Sequence, residues 1–234
     1  MRLQHIHLPS LSPYTRASAL QDRLVHACLA YKASPSLHLV TKPSIITAQF
    51  HPVYTCGRRE QGTVSAEQQV YLCADGKADF HYTLRGGQTT FHGPGQLVAY
   101  PILDLKRHDL TPRTYVSLLE RTLIKTCAQY GISTMTTKHP GVWVTPDSKI
   151  AALGVHLRRN ITSHGIGLNI NTDLWWFSRI VACGLEGKST TSFQDQGVVD
   201  KSVEEVGQAF VQNMATALDG VEGIDEVAED TIPL

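Results

Sequence analysis

The sequence predicts a single α/β domain of the α+β kind, a mixed β-sheet flanked by a few helices. Three observations carry that expectation. Strand-like apolar runs outnumber helical stretches and do not alternate with them one for one, which speaks against a strictly parallel βαβ sheet. Two long stretches show helical spacing with clear caps. No linker, repeat or low-complexity tract divides the 234 residues, a length that suits one domain with an ample core.

The elements follow in order. Leu3–Leu8 reads as a short strand, and Tyr14–Tyr31 as a helix through Leu20, Leu24, Val25, Cys28 and Leu29. Leu37–Val40 and Ser44–Phe50 are β-like, the second ending at His51-Pro52 and a turn at Thr55-Cys56-Gly57. Phe80–Leu84 and Leu97–Leu105 are strands on either side of a glycine-dense segment. Thr111 caps a helix with Pro112 in its first turn. That helix buries Tyr115, Leu118, Leu119, Thr122, Leu123, Thr126, Cys127 and Tyr130, and Gly131 stops it. Val142–Val144 and Lys149–Leu157 form a hairpin around Thr145–Ser148, and Arg158-Arg159-Asn160 turns the chain into Thr162–Ile170. The last helix starts at a capping box, Ser202 to Glu205, and buries Val203, Val206, Phe210 and Met214. The folded domain is expected to occupy residues 1–220, with the acidic stretch 221–234 frayed.

Bulk composition excludes several classes of function. Lys plus Arg and Asp plus Glu both total 21, so no basic surplus points to nucleic acid. No apolar run is long enough to span a bilayer. The five cysteines are odd in number and widely spaced, without a CxxC pair, which argues against a disulfide framework or a zinc site and for a reducing compartment. No signal peptide is visible, so secretion is not expected. The absence of acidic residues before Asp22, with Arg2 and Arg16 present, suits a mitochondrial presequence, although the first strand and helix account for the same residues. The expected location is therefore the mitochondrion, with the cytoplasm as the alternative for a bacterial chain.

The most informative segment is Arg85-Gly86-Gly87-Gln88-Thr89-Thr90-Phe91-His92-Gly93-Pro94-Gly95-Gln96-Leu97-Val98. Glycines at this density let backbone approach a ligand and adopt positive φ. A flexible linker has no use for Arg85, His92 or Pro94, so the segment reads as a pocket wall made of backbone. Two further residues could carry chemistry. Cys183 lies in Val181-Ala182-Cys183-Gly184-Leu185, where the following glycine gives a nucleophile access and backbone freedom. Cys28 and Cys127 sit on apolar helix faces and read as core, whereas Cys56 is the rival nucleophile. Lys149 opens a largely apolar strand, where lost solvation favours its neutral amine unless a thiolate holds the charge; a strand-end lysine reaching water is the plain alternative. His92 and His164 could equally be satisfied histidines of a polar pocket. Gly187-Lys188-Ser189 is a false P-loop, since Ala182 stands where the motif needs glycine, and no GxGxxG opens a helix.

Taken together, Arg85-Gly86-Gly87, Thr89 to Gln96, Gly141-Val142-Trp143-Val144, Lys149 to Gly154, His164-Gly165-Ile166-Gly167-Leu168-Asn169 and Cys183-Gly184-Leu185 resemble the octanoyltransferases of lipoate biosynthesis. Tyr54-Thr55-Cys56-Gly57-Arg58 fits as well, and the resemblance runs in order from about Leu3 to Val211. Ala182 and Ser163 depart from the pattern, where a proline and an aromatic residue are frequent. The resemblance implies the mixed-sheet fold of lipoate and biotin protein ligases. It implies transfer of an octanoyl group from octanoyl-acyl carrier protein to a lysine of lipoyl domains, those of 2-oxoacid dehydrogenases and the glycine cleavage H protein, without a cofactor or metal. Cys183 would carry the acyl thioester and Lys149 would lower its pKa. Arg85, Gly86, Gly87, Gln88, Thr89, Thr90, Phe91 and His92, with Ala152, Leu153, Gly154, Gly165, Ile166 and Gly167, would line the acyl site. An ATP-dependent lipoate ligase of the same fold and a cysteine hydrolase are the alternatives.

Overall fold

A computed structural model describes residues 1–180 and 187–232. Its strands are β1 (Arg2–Ser12), β2 (Ser44–Phe50), β3 (Val53–Cys56), β4 (Asp79–Tyr82), β5 (Thr90–His92), β6 (Gln96–Ile102), β7 (Val142–Thr145), β8 (Ser148–Arg158), β9 (Ile161–Asn169), β10 (Ser189–Thr190) and β11 (Gly223–Glu226). The helices are α1 (Tyr14–Ala33), α2 (Ala66–Cys73), α3 (Pro112–Gln129) and α4 (Val203–Ala217). An eight-stranded mixed sheet runs β10-β8-β9-β6-β2-β1-β11, with β7 added beside β8, and a separate three-stranded sheet runs β4-β3-β5. This is the mixed-sheet α/β architecture that the sequence predicts.

The central strands are buried on both faces, and alternation decides which core each side chain joins. Ile45, Leu97, Ala99, Ile166 and Leu168 meet Leu119, Leu123, Phe210 and Met214 of α3 and α4. Ile46, Val98 and Tyr100 point the other way and meet Tyr14, Leu20 and Leu24 of α1. A third cluster, built on Tyr54, Leu72 and Phe91, fills the small sheet. Helix α3 starts as its sequence dictates: Thr111 Oγ1 accepts from the Thr114 N–H and Thr114 Oγ1 accepts from the Thr111 N–H, with Pro112 in the first turn.

Four expectations need correction or addition. Leu37–Val40 forms no strand: Leu39 is 90% exposed, and nothing offers the run a sheet edge. Thr55 and Cys56, expected in a turn, are the end of β3. Helix α2 escaped the sequence reading, although Ser65 and Gln68 make a full capping box. The acidic stretch expected to fray carries β11, which pairs parallel with β1 and is held by Arg2–Asp225, Lys42–Asp225 and His5–Glu226 contacts.

Where β6 and β9 part, the sheet needs special residues. Their pairing ends at Ala99 and Ile166. Beyond it lies Pro101, which has no N–H to give; Thr162 Oγ1 donates to the Pro101 carbonyl (2.7 Å) and accepts from the Leu103 N–H (2.9 Å). At Gly165 a Cβ would lie 2.2 Å from the Ala99 oxygen and 2.7 Å from Pro101 Cδ. Gly165→Ala is therefore expected to cost about 1–3 kcal/mol through overpacking against backbone. Urea unfolding should show a lower midpoint at unchanged slope; an unchanged midpoint would mean that the strands part without strain.

Candidate active site

The glycine-dense segment folds against both sheets. Gly86 donates its N–H to the Val155 carbonyl of β8 (2.9 Å), while the carbonyls of Arg85 and Gly87 accept from the N–H groups of Arg58 and Arg59. Gly57 makes this approach possible, because a Cβ there would lie 2.2 Å from the Gly87 oxygen. Gly87 itself has φ +89°, in the left-handed region that favours glycine. Arg85 is buried beneath the segment: Nε donates to Thr55 Oγ1 (3.1 Å), Nη2 to the Thr55 carbonyl (2.5 Å) and Nη1 to the Gly86 carbonyl (3.0 Å). Its stem crosses under β8, so close that a Cβ on Gly154 would lie 2.9 Å from Arg85 Cδ.

Between the small sheet and strands β8 and β9 lies a cleft of about 500 Å³. Arg85, Gly87, Gln88, Thr89, Thr90, His92, Ala152, Leu153, Gly154, Gly165, Ile166 and Gly167 line it, joined by Tyr100 and His164. Two of the residues expected there stand elsewhere. Gly86 lies behind the lining on Val155, and Phe91 turns into the small-sheet core, stacked on Trp176 at 5.0 Å between centroids.

The polar groups of the cleft are tied together. His92 Nδ1 stands 2.7 Å from Gln96 Oε1, whose amide nitrogen donates to Asn169 Oδ1 (2.9 Å) and the Phe91 carbonyl (3.3 Å). Asn169 Nδ2 in turn donates to the Thr191 carbonyl (3.0 Å). Two backbone carbonyls thus fix the orientation of both amides, which makes Nδ1 the protonated nitrogen of His92. Burial, with the Arg85 charge nearby, pushes His92 down to about 4 and His164 to about 3. Both imidazoles are neutral at ordinary pH. Gln96, Asn169 and Tyr100 were not singled out from sequence; the apolar strand around Gln96 was the available signal, since a polar residue there needs buried partners.

Lys149 sits at the other end of the cleft, only 6% exposed. Its Nζ donates to the Pro140 carbonyl (3.2 Å) and lies 4.5 Å above the Trp143 ring. Gly141, with φ +129°, lets β7 close over the lysine: a Cβ there would meet Lys149 Cε at 3.0 Å. A recess around Lys149 shares Thr90, Ala152 and Gly167 with the cleft and is also walled by Gln96, Asn169, Phe177, Ile180 and Thr190. Cys183 lies outside the described residues. Ile180 and Thr190, on either side of it in the chain, both line the Lys149 recess. The other cysteines do not behave as nucleophiles: burial pushes the thiols of Cys28, Cys56, Cys73 and Cys127 up, and Cys56 is fully buried within β3. Among the described residues no group of three His, Cys, Asp or Glu could hold a metal, and no helix is long and apolar enough to cross a membrane.

A family model described as the lipoyl protein ligase A/B catalytic domain matches residues 13–215. The chain belongs to that family. It is 53% identical over 212 residues to a probable octanoyltransferase of Schizosaccharomyces pombe, covering 88% of this chain and 94% of that protein. It is 45% identical over 179 residues to the octanoyl-acyl-carrier-protein:protein N-octanoyltransferase, mitochondrial, of Danio rerio, covering 75% and 79%. Among solved structures, a bipartite lipoate protein ligase from Thermoplasma acidophilum superposes with a TM-score of 0.69 at 16% identity, over 99% of this chain and 89% of that one. The last likeness concerns the fold alone. Within the lipoyl protein ligase A/B family this chain is an acyltransferase of the octanoyltransferase kind, and it is mitochondrial.

The buried imidazoles tie stability to pH. Unfolded, each takes a proton below about pH 6.5; folded, His92 resists to about 4 and His164 to about 3. The unfolded chain thus binds more protons in that window, so this stability is complete above about pH 6.5 and is lost as pH falls toward 4 and 3. Each shift is worth on the order of 3 kcal/mol. The urea midpoint should fall from pH 7 to 4, and less steeply in His92→Gln or His164→Asn; parallel slopes in wild type and both variants would contradict buried neutral imidazoles.

Proposed function

We propose that the cleft receives the octanoyl chain of an acyl carrier protein thioester and passes it to a lysine of a lipoyl domain, by way of a thioester on Cys183. The donor follows the name of the zebrafish relative, and a lipoyl-domain acceptor matches the partner named for the archaeal ligase. The observation that carries the reading is the placement of Lys149. Its ammonium stands at one end of a glycine-walled cleft, in a recess bordered by the residues that precede and follow Cys183 in the chain. Three residues separate Ile180 from Cys183, a reach of at most about 11 Å.

The chemistry closes without a nucleotide. The Cys183 thiolate, held beside the Lys149 ammonium, attacks the carbonyl carbon of the donor thioester, and the carrier thiolate leaves with the proton from Lys149. The acceptor amine then attacks the Cys183 thioester. Lys149, now neutral, takes the proton from that nitrogen, and Cys183 departs as a thiolate with the dyad restored. The first step exchanges one thioester for another and is close to isoenergetic. The alkyl chain lies against backbone of Gly87, Gly154, Gly165 and Gly167, where burial contributes about 0.8 kcal/mol per methylene.

Mixing the protein with octanoyl-carrier protein should give an octanoyl adduct on Cys183 that hydroxylamine removes and an acceptor domain replaces by transfer. Cys183→Ala should abolish transfer, and turnover by that variant, or an adduct on Cys56, would overturn the assignment. Turnover of free octanoate with ATP and no carrier protein would instead support a ligase, and release of free octanoate a hydrolase. Lys149→Arg should lose at least about a hundredfold in transfer, because a guanidinium cannot give up its proton near neutral pH. Iodoacetamide labelling of Cys183 against pH should show a depressed thiol pKa that rises in Lys149→Ala; superimposable profiles would rule Lys149 out as the activating group.

A further inference from the structure

His164 breaks the alternation of β9. Its φ is +55°, in the left-handed region that residues other than Gly, Asn and Asp avoid, although it lies within a buried strand. Regular alternation would put its ring with Ile166 and Leu168 against the core under α3 and α4. The ring instead stands on the opposite face, edge-on to Tyr100 at 5.5 Å, where it lines the cleft. The backbone at this turn is held from outside the sheet: the His164 N–H donates to Gln21 Oε1 at 2.5 Å. Gln21 is 2% exposed and sits among Ala17, Leu20 and Leu24 on the buried face of α1. An amide in such a setting is costly unless it is hydrogen-bonded.

The position of this turn along the cleft gives it a function. Val155 of β8 pairs with His164, six residues on from Lys149, or about 20 Å at a strand rise of about 3.3 Å per residue. An acyl chain whose carbonyl lies by Lys149 therefore runs between the glycine walls toward an end closed by His164, Tyr100 and Arg85. Burial and the Arg85 charge keep His164 uncharged, so a terminal methyl group meets a neutral ring there.

We propose that Gln21 is a positioning residue for acyl chain length: by holding the left-handed amide of His164 it keeps the imidazole across the far end of the slot, which stops the chain near eight carbons. This rests on the octanoyl-transfer reading. The test measures transfer from octanoyl-, decanoyl- and dodecanoyl-carrier protein to a lipoyl domain by wild type, Gln21→Leu, His164→Gly and the double variant. Leucine keeps the volume without the acceptor, and glycine accepts the backbone conformation without a ring. One methylene in a fitted pocket is worth about 10–200-fold in discrimination, so the dodecanoyl-to-octanoyl rate ratio should rise about tenfold or more in each single variant. The double variant should match His164→Gly, because Gln21 acts through that residue. An equal loss for all three donors in Gln21→Leu, with the ratio unmoved, would overturn the positioning role. An unmoved ratio in His164→Gly would overturn the end wall, whether or not Gln21→Leu folds. Wild type that transfers none of the three chains would refute the transfer reading itself, a result separable from either.

Discussion

A buried guanidinium is the joint on which the site depends. Arg85 belongs to the segment between β4 and β5, yet it spends its donors on Thr55 of β3 and on the Gly86 carbonyl, and lays its stem under Gly154 of β8. It therefore sets the distance between the small sheet and the large one, which is the width of the cleft. A fork of rigid donors suits that task better than a lysine, whose point charge would fix neither orientation nor spacing. Neutral residues could brace the same gap only by supplying several hydrogen bonds at once, since the Thr55 and Gly86 oxygens would otherwise be buried with fewer partners.

The charge of that joint has a second effect. A permanent cation beside two buried imidazoles opposes their protonation, adding to the cost of desolvation. The walls of the slot are thus polar in composition but uncharged in practice, which a hydrocarbon tail tolerates. The chain of amides from His92 through Gln96 and Asn169 to the Thr191 carbonyl holds this arrangement across β5, β6 and β9. It ends one residue from Thr190, which pairs with Lys149 in β10 and β8, so the wall of the acyl slot and the lysine share one hydrogen-bonded frame.

Much of this was legible in the sequence because the decisive features are local. Periodicity gave α1, α3, α4 and the hairpins around Lys149, and glycine density gave the segment from Arg85 to His92. What escaped depends on tertiary pairing. Leu37–Val40 has β propensity but no edge to join, whereas Gly223–Glu226 has little propensity and becomes a strand because β1 offers an edge with Arg2 and His5 facing its acids. The roles of Gln96 and Asn169 follow from carbonyls far away in sequence, and Phe91 was misplaced because its parity could not be fixed before β5 had a partner. Gln21 looked like an ordinary helix residue. Only the left-handed turn at His164, on an element more than a hundred positions away, explains why an amide lies in the apolar face of α1.

The division between the two sheets also bears on how an acyl enzyme could be loaded and unloaded. Lys149, Trp143 and β10 belong to the large sheet, whereas Ile180 packs with Trp176 and Phe177 against the small one. The chain that carries Cys183 thus leaves one sheet and re-enters at the other. Its upstream end is anchored by Tyr54, whose hydroxyl donates to the Trp176 carbonyl (2.7 Å), and its downstream end by the Thr191 N–H on the Lys149 carbonyl (2.9 Å). The first anchor fixes that stem against the wall of the acyl slot, and the second fixes it against the lysine. A nucleophile on such a segment has both its electrostatic partner and its substrate chain referred to it by neighbouring backbone. Two sheets held at a set spacing by Arg85 therefore suit a two-step transfer, since the carbonyl can stay beside Lys149 while donor and acceptor exchange at the open side of the cleft.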